Sequence, residues 1–206
     1  MSKLTDRPIR EVLAAFASAA PTPGGGSASA LAASIGLSLL GMVARMPRTR
    51  NGTPEDRTAL DAAAVTVEHL GQHAVTLVDD DAAAYDAVVA AYRHPRATED
   101  EKSHRRAAID AALRGAAEVP LEVMRTCRAG MIAAVDVARA GNPSASTDVG
   151  VAVELLTAAL RGAALNVGVN IKGMADTGYV SAIIDEMGGL EASTDSHAAA
   201  ARTAVS

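Results

Sequence analysis

Residues 21–46 read PTPGGGSASALAASIGLSLLGMVARM. A Pro-Thr-Pro turn is followed by three glycines and then by a long uncharged run of small and aliphatic residues. Pro23 biases Thr22 away from helical angles and ends whatever precedes it. Gly24, Gly25 and Gly26 let the backbone lie very close to another group. Ser27 is placed to cap the helix that follows. The start of that helix offers unpaired N–H groups and a partial positive charge, which suit an anionic or carbonyl-bearing ligand. The alternative is a tight turn that lets two helices approach. No Lys follows the glycines, the GxGxxG spacing is absent and no strand precedes them, so neither nucleotide loop applies.

The rest of the composition fits a helix-built core. The chain has 206 residues, enough for one domain, residues 1–206, with a sizeable core. Apolar residues make up 49% but aromatics only 2%, so Ala, Val and Leu must fill the interior. Such a core favours closely packed helices over a β-sandwich. A net charge of −5 and the lack of aromatic stacking platforms argue against nucleic acid as a partner. The single Cys127 allows no intrachain disulfide and no cysteine metal cluster, and with no signal peptide apparent at the N-terminus a reducing, cytoplasmic setting follows. Residues 27–44 approach membrane-spanning length. Their four serines and the absence of an aromatic belt favour a bundle helix over a membrane span.

Beyond the basic loop 47–54, with Arg48, Arg50 and Asn51-Gly52, the spacing predicts a helix over 54–92. Its stripe steps through Leu60, Ala64, Val67, Gly71, Ala74 and Val78 and resumes at Tyr85, Val88 and Tyr92. The missing step is Asp81, in the run Asp79-Asp80-Asp81. One acid is thereby aimed at the packed face while its neighbours fall off it. Desolvation there raises a carboxyl pKa toward the range a general base or acid needs. A rim position, or an ion pair with a neighbouring helix, fits the periodicity equally well.

Elsewhere, Asp6 and Pro8 are expected to start a first helix that buries Val12, Leu13 and Phe16. Thr98 to Glu101 forms a capping box. Pro120 is expected to split the following helix into pieces over 98–118 and 120–139, stopped at Gly141-Asn142-Pro143. Thr147 or Asp148 caps the next helix, whose stripe is Val149, Val153, Leu156, Leu160, Ala163, Val167 and Asn170. Asn166 lies four residues before Asn170 and shares its face, where buried amides need partners from the protein or from a ligand. A last helical region begins near Asp176 to Gly178, with a break at Gly188-Gly189 and a fraying tail. His69 and His73 share a face, but without an HExxH pattern they read as exposed rather than metal-binding.

Together these stretches resemble the formimidoyltetrahydrofolate cyclodeaminase and methenyltetrahydrofolate cyclohydrolase family. The resemblance rests on residues 21–46, on VDDDAAAYDAV (78–88) and on the Ala-Ala-Glu-Val-Pro stretch ending at Pro120. GNPSASTDVGVAV (141–153) and NVGVNIK (166–172) complete it, in the family's order over roughly residues 8–190. It departs mildly from the family at Tyr85, often Phe, and at Thr147, commonly Ser. The resemblance implies an all-α bundle of long helices, orthogonal to antiparallel, and a homodimer with a tetrahydrofolate derivative bound near its interface. It implies a catalytic Asp81 and a folate pocket lined by Gly24, Gly25, Gly26, Ser27, Asp148, Asn166 and Asn170. No metal or cofactor is implied beyond the folate substrate, and Arg45, Arg48 or Lys172 would meet the glutamate tail. Bifunctional relatives carry a formiminotransferase domain upstream, and this chain starts at the cyclodeaminase-like domain. The expectation therefore leans to the cyclohydrolase, with the cyclodeaminase and a noncatalytic folate-binding dimer as alternatives.

Overall fold

The structure is a computed structural model, and it describes residues 3–47, 52–172 and 174–205. A 3-10 turn, Leu4–Asp6, leads into α1, Ile9–Phe16. Then come α2, Gly25–Arg45; α3, Pro54–Tyr92; α4, Glu99–Ala140; α5, Ser146–Ile171, preceded by a second 3-10 turn at Pro143–Ala145; and α6, Thr177–Val205. No strand occurs among the described residues.

Helix α2 is the central element and packs against α3, α4 and α5, while α6 covers α4 and α5. Contacts along the helices fix their directions. Asp81 meets Ser27 and Glu68 meets Arg45, so α2 and α3 run antiparallel. Asn166 lies beside Gly25, Ser29 beside Gly162 and Leu156 beside Gly36, which sets α5 antiparallel to α2 over several turns. Contacts at successive turns require near alignment, so the orthogonal part of the expectation gives way to an antiparallel arrangement for these pairs. Small residues make the approach possible: a Cβ on Gly36 would stand 3.1 Å from the Ala152 carbonyl oxygen.

The long α2 is apolar enough by length and composition to cross a membrane, yet in this fold most of it is buried between helices. Its serines 29, 34 and 38 donate to carbonyls of their own helix, which satisfies them without water. The core holds Leu37, Leu40, Leu60, Leu121 and Leu156 with essentially no exposure, each burial stabilising by about 1.5–3 kcal/mol. Cys127 lies in the same core, where burial pushes its thiol up to about 12.

Several local expectations are corrected. Asp6 ends the first 3-10 turn and does not cap α1, which starts after Pro8. Leu13 is exposed, and Val12 carries the burial. Neither Thr147 nor Asp148 caps α5; both lie inside its first turn. Helix α6 runs unbroken through Gly188-Gly189 to Val205, because Leu190, Thr194, Ala198 and Ala201 are buried against the bundle. Helix α4 is one helix, with Pro120 buried in its interior. Arg48, Arg50 and Asn51 lie outside the described residues.

Candidate active site

Helix α2 begins without a cap of its own. Gly24 occupies the cap position in extended backbone and offers no side chain. The partner for the first turn comes instead from α3. Asp81 Oδ2 accepts the Ser27 backbone N–H at 2.7 Å and the Ser27 hydroxyl at 3.0 Å. Ser27 is therefore not the capping residue but the capped one, the third residue of the helix. A carboxylate placed here meets the positive end of α2, which favours its charged form.

The close approach depends on glycine. A Cβ on Gly26 would stand 2.0 Å from Asp81 Oδ1 and 2.5 Å from its Cγ, so any side chain at this position would force the carboxylate to move. The position of Asp81 follows from the period of α3. Leu60, Val67, Ala74 and Val78 are buried, and the next step of the stripe falls where α2 begins. Its neighbours take other roles. Asp79 accepts from the Leu4 backbone N–H and the Thr5 hydroxyl, each at 2.6 Å, and anchors the N-terminal turn. Asp80 is exposed. Burial raises the Asp81 pKa above its ordinary value, and the two Ser27 hydrogen bonds oppose that rise without cancelling it.

The facing wall is α5. Asn166 Nδ2 donates to the Gly162 carbonyl at 2.8 Å, and Asn170 Nδ2 donates to the Ala116 carbonyl of α4 at 2.7 Å. Asn166 also lies against the loop: a Cβ on Gly25 would stand 3.2 Å from its Nδ2. Between these walls is a cleft of about 320 Å³ that includes Gly24, Gly25, Asp81, Asn166 and Asn170. Such a volume matches the small end of ordinary ligand pockets. A carbonyl oxygen can only accept, so both amide groups must turn their NH₂ toward the backbone. Their Oδ1 atoms are left as acceptors, in a cleft that already holds a carboxylate.

The structure thus brings Gly24, Gly25, Asp81, Asn166 and Asn170 to one cleft, with Gly26 and Ser27 directly behind Asp81. It does not bring Asp148 there. Asp148 is in the first turn of α5, eighteen residues before Asn166, and a rise of about 1.5 Å per residue puts it roughly 27 Å away. Arg45 is at the far end of α2, roughly 30 Å from the glycine loop on the same rise, and pairs with Glu68 at 2.5 Å. Lys172 caps the C-terminus of α5 and lines a different, mostly apolar cleft against α6.

Tyr85, Val88, Ala116 and Val169 also line the cleft, and none was singled out from sequence as a site residue. Tyr85 and Val88 continue the Asp81 stripe, which was a usable signal. Ala116 has none except Pro120 four residues later. His73 is exposed and contacts Glu122 at 3.2 Å. Among the described residues no three metal-ligating side chains converge.

A family model described as formiminotransferase-cyclodeaminase matches residues 8–188. A methenyltetrahydrofolate cyclohydrolase of Methylorubrum extorquens is 39% identical over 182 residues, covering 88% of each chain. The formimidoyltransferase-cyclodeaminase of Rattus norvegicus is 31% identical over 173 residues; the match takes 84% of this chain and 32% of that protein, so this chain spans about a third of its length. In fold, the chain matches the crystal structure of formiminotetrahydrofolate cyclodeaminase from Thermotoga maritima with a TM-score of 0.86, covering 97% and 96% of the two chains at 23% identity. The sequence match over nearly the whole chain, carried on this all-helical scaffold, shows that the chain belongs to the formiminotransferase-cyclodeaminase family.

Proposed function

We propose that this protein hydrolyses 5,10-methenyltetrahydrofolate to 10-formyltetrahydrofolate, with Asp81 as the proton-transfer group. The observation that carries the reading is Asp81 itself: a partly desolvated carboxylate, fixed by Ser27, in a cleft whose other wall offers amide oxygens. The methenyl bridge is a cationic amidinium, and an acceptor-lined cleft suits a cation. The name and full-length coverage of the Methylorubrum relative support the same choice.

In this reaction Asp81 takes a proton from water as the oxygen bonds to the bridging carbon. The tetrahedral product then collapses: the bond from carbon to N5 breaks as the proton returns from Asp81 to N5, and the hydroxyl proton leaves to solvent as the formyl C=O forms. The formyl group remains on N10. A raised carboxyl pKa brings Asp81 closer to the working pH for both transfers, and positioned proton transfer contributes about 10²–10⁴-fold. None of these steps calls for a metal or a redox cofactor.

A second reading is favoured by the rat relative, whose name includes cyclodeaminase. There N10 attacks the formimino carbon of 5-formimidoyltetrahydrofolate, ammonia leaves, and Asp81 serves the proton transfers at the same carbon. Offering each substrate separately and following the near-ultraviolet band of the methenyl compound decides between them. Loss of the band above the spontaneous rate supports the hydrolase. Growth of the band with ammonia release supports the cyclodeaminase, and binding without either reaction a noncatalytic folate protein.

The protein is also proposed to act as a homodimer in the cytoplasm, with neither nucleic acid nor membrane as a partner. Leu165 and Val169, 74% and 72% exposed on α5 beside the cleft, supply an apolar surface consistent with a second copy there. Sedimentation of the purified protein tests the dimer.

A further inference from the structure

Pro120 stands inside α4, where it has no N–H to give to the carbonyl four residues back. That carbonyl belongs to Ala116. The proline ring also crowds this oxygen and tips it away from the helix axis. A buried carbonyl left in this state requires another donor. The donor present is Asn170 Nδ2 of α5, at 2.7 Å, and Ala116 lines the cleft together with Asn170.

We infer that Pro120 is a positioning residue: by freeing the Ala116 carbonyl it holds the Asn170 amide in one orientation, with Oδ1 turned to the cleft to accept an N–H of the folate ligand. The inference rests on the folate reading for the identity of the ligand and on the geometry alone for the orientation. Without the free carbonyl, the Asn170 amide is able to flip and present a donor where the ligand also has one. Asn166 is held by the Gly162 carbonyl of its own helix, so it keeps its orientation whatever happens at α4. The two amides are thus separable by experiment.

The test is Pro120→Ala, which restores the helical N–H. Alanine is the better residue in a helix interior, so this variant is expected to melt no lower than the wild type. Asn170→Ala and the double variant complete a cycle. Two readouts are taken: hydrogen exchange of the Asn170 side-chain amide by NMR, and KM and kcat with 5,10-methenyltetrahydrofolate. The expected result is loss of amide protection in Pro120→Ala, a rise in KM of about tenfold with a smaller change in kcat, and no further rise in the double variant. An unchanged KM, or effects that simply add, overturns the inference. Should the wild type neither bind nor convert any folate, the proposed function falls separately. The exchange data then still decide the orientation: retained protection in Pro120→Ala overturns it, and lost protection upholds it.

Discussion

Asp81 on α3 and Ser27 on α2 are 54 positions apart in sequence and joined by two hydrogen bonds to one carboxylate oxygen, at 2.7 and 3.0 Å. The helix start is thereby capped from outside, and the acid is fixed by the helix start. Structure and chemistry share the same contact, so changes here separate the two roles only if chosen carefully.

Gly26→Ala should displace the carboxylate, since its new Cβ would stand 2.0 Å from Oδ1. Overpacking of this kind costs about 1–3 kcal/mol. Turnover is expected to fall by about 10²-fold or more while the helical content stays near normal. Circular dichroism and turnover, measured on the same preparation, check both parts. Full activity in this variant would mean that Asp81 is not held where it needs to be.

Ser27→Ala removes the hydroxyl and keeps the backbone N–H. The hydroxyl bond lowers the Asp81 pKa, so its loss raises that pKa further. As the base, Asp81 must be ionised, and turnover falls as pH drops through its pKa. The acid limb of the pH–rate profile should therefore move to higher pH in this variant. A limb that stays in place assigns the titration to another group.

The same shift has a consequence for stability. A carboxyl whose folded pKa is raised binds its proton more tightly in the folded state, so its contribution is most favourable at low pH. That contribution is lost as pH rises from about 4, the unfolded value, through the raised folded value. Relative to Asp81→Asn, the wild type should thus lose stability across this window. Thermal melts of both proteins at several pH values give the slope, and a wild type that gains on the variant with rising pH contradicts the burial of Asp81.

Gly25→Val adds bulk where even a single Cβ would stand 3.2 Å from the Asn166 amide nitrogen. Folate affinity should drop by about tenfold or more, roughly one polar contact and its shape fit. Unchanged affinity in a binding titration removes the glycine loop from the site. Asp148→Asn is the contrasting variant. With Asp148 roughly 27 Å away along α5, kcat/KM should stay within about twofold of the wild type. A large loss would require a second copy to deliver Asp148 to the cleft.

Much of this was legible in the sequence where the signal was local. The helix at 54–92 has the predicted bounds, because a Thr53 capping box with Pro54 begins it and the chain turns before Pro95. The place of Asp81 on the packed face followed from the three-and-four step of one stripe. The misses share a cause: the deciding partner was far along the chain. Pro120 reads as a break until Asn170, 50 residues on, supplies the missing donor. Ser27 reads as a cap until Asp81 takes that role. Asp148 was grouped with Asn166 by family resemblance, and the length of α5 separates them.

The central claim is that Asp81 moves the proton at the one-carbon bridge. The most direct measurement is the decay of the 5,10-methenyltetrahydrofolate absorbance with wild-type protein and with Asp81→Asn, each against the spontaneous rate. The account predicts clear acceleration by the wild type and a loss of about 10²–10⁴-fold in the variant, which still binds the substrate. An Asp81→Asn protein that turns over at the wild-type rate would contradict it.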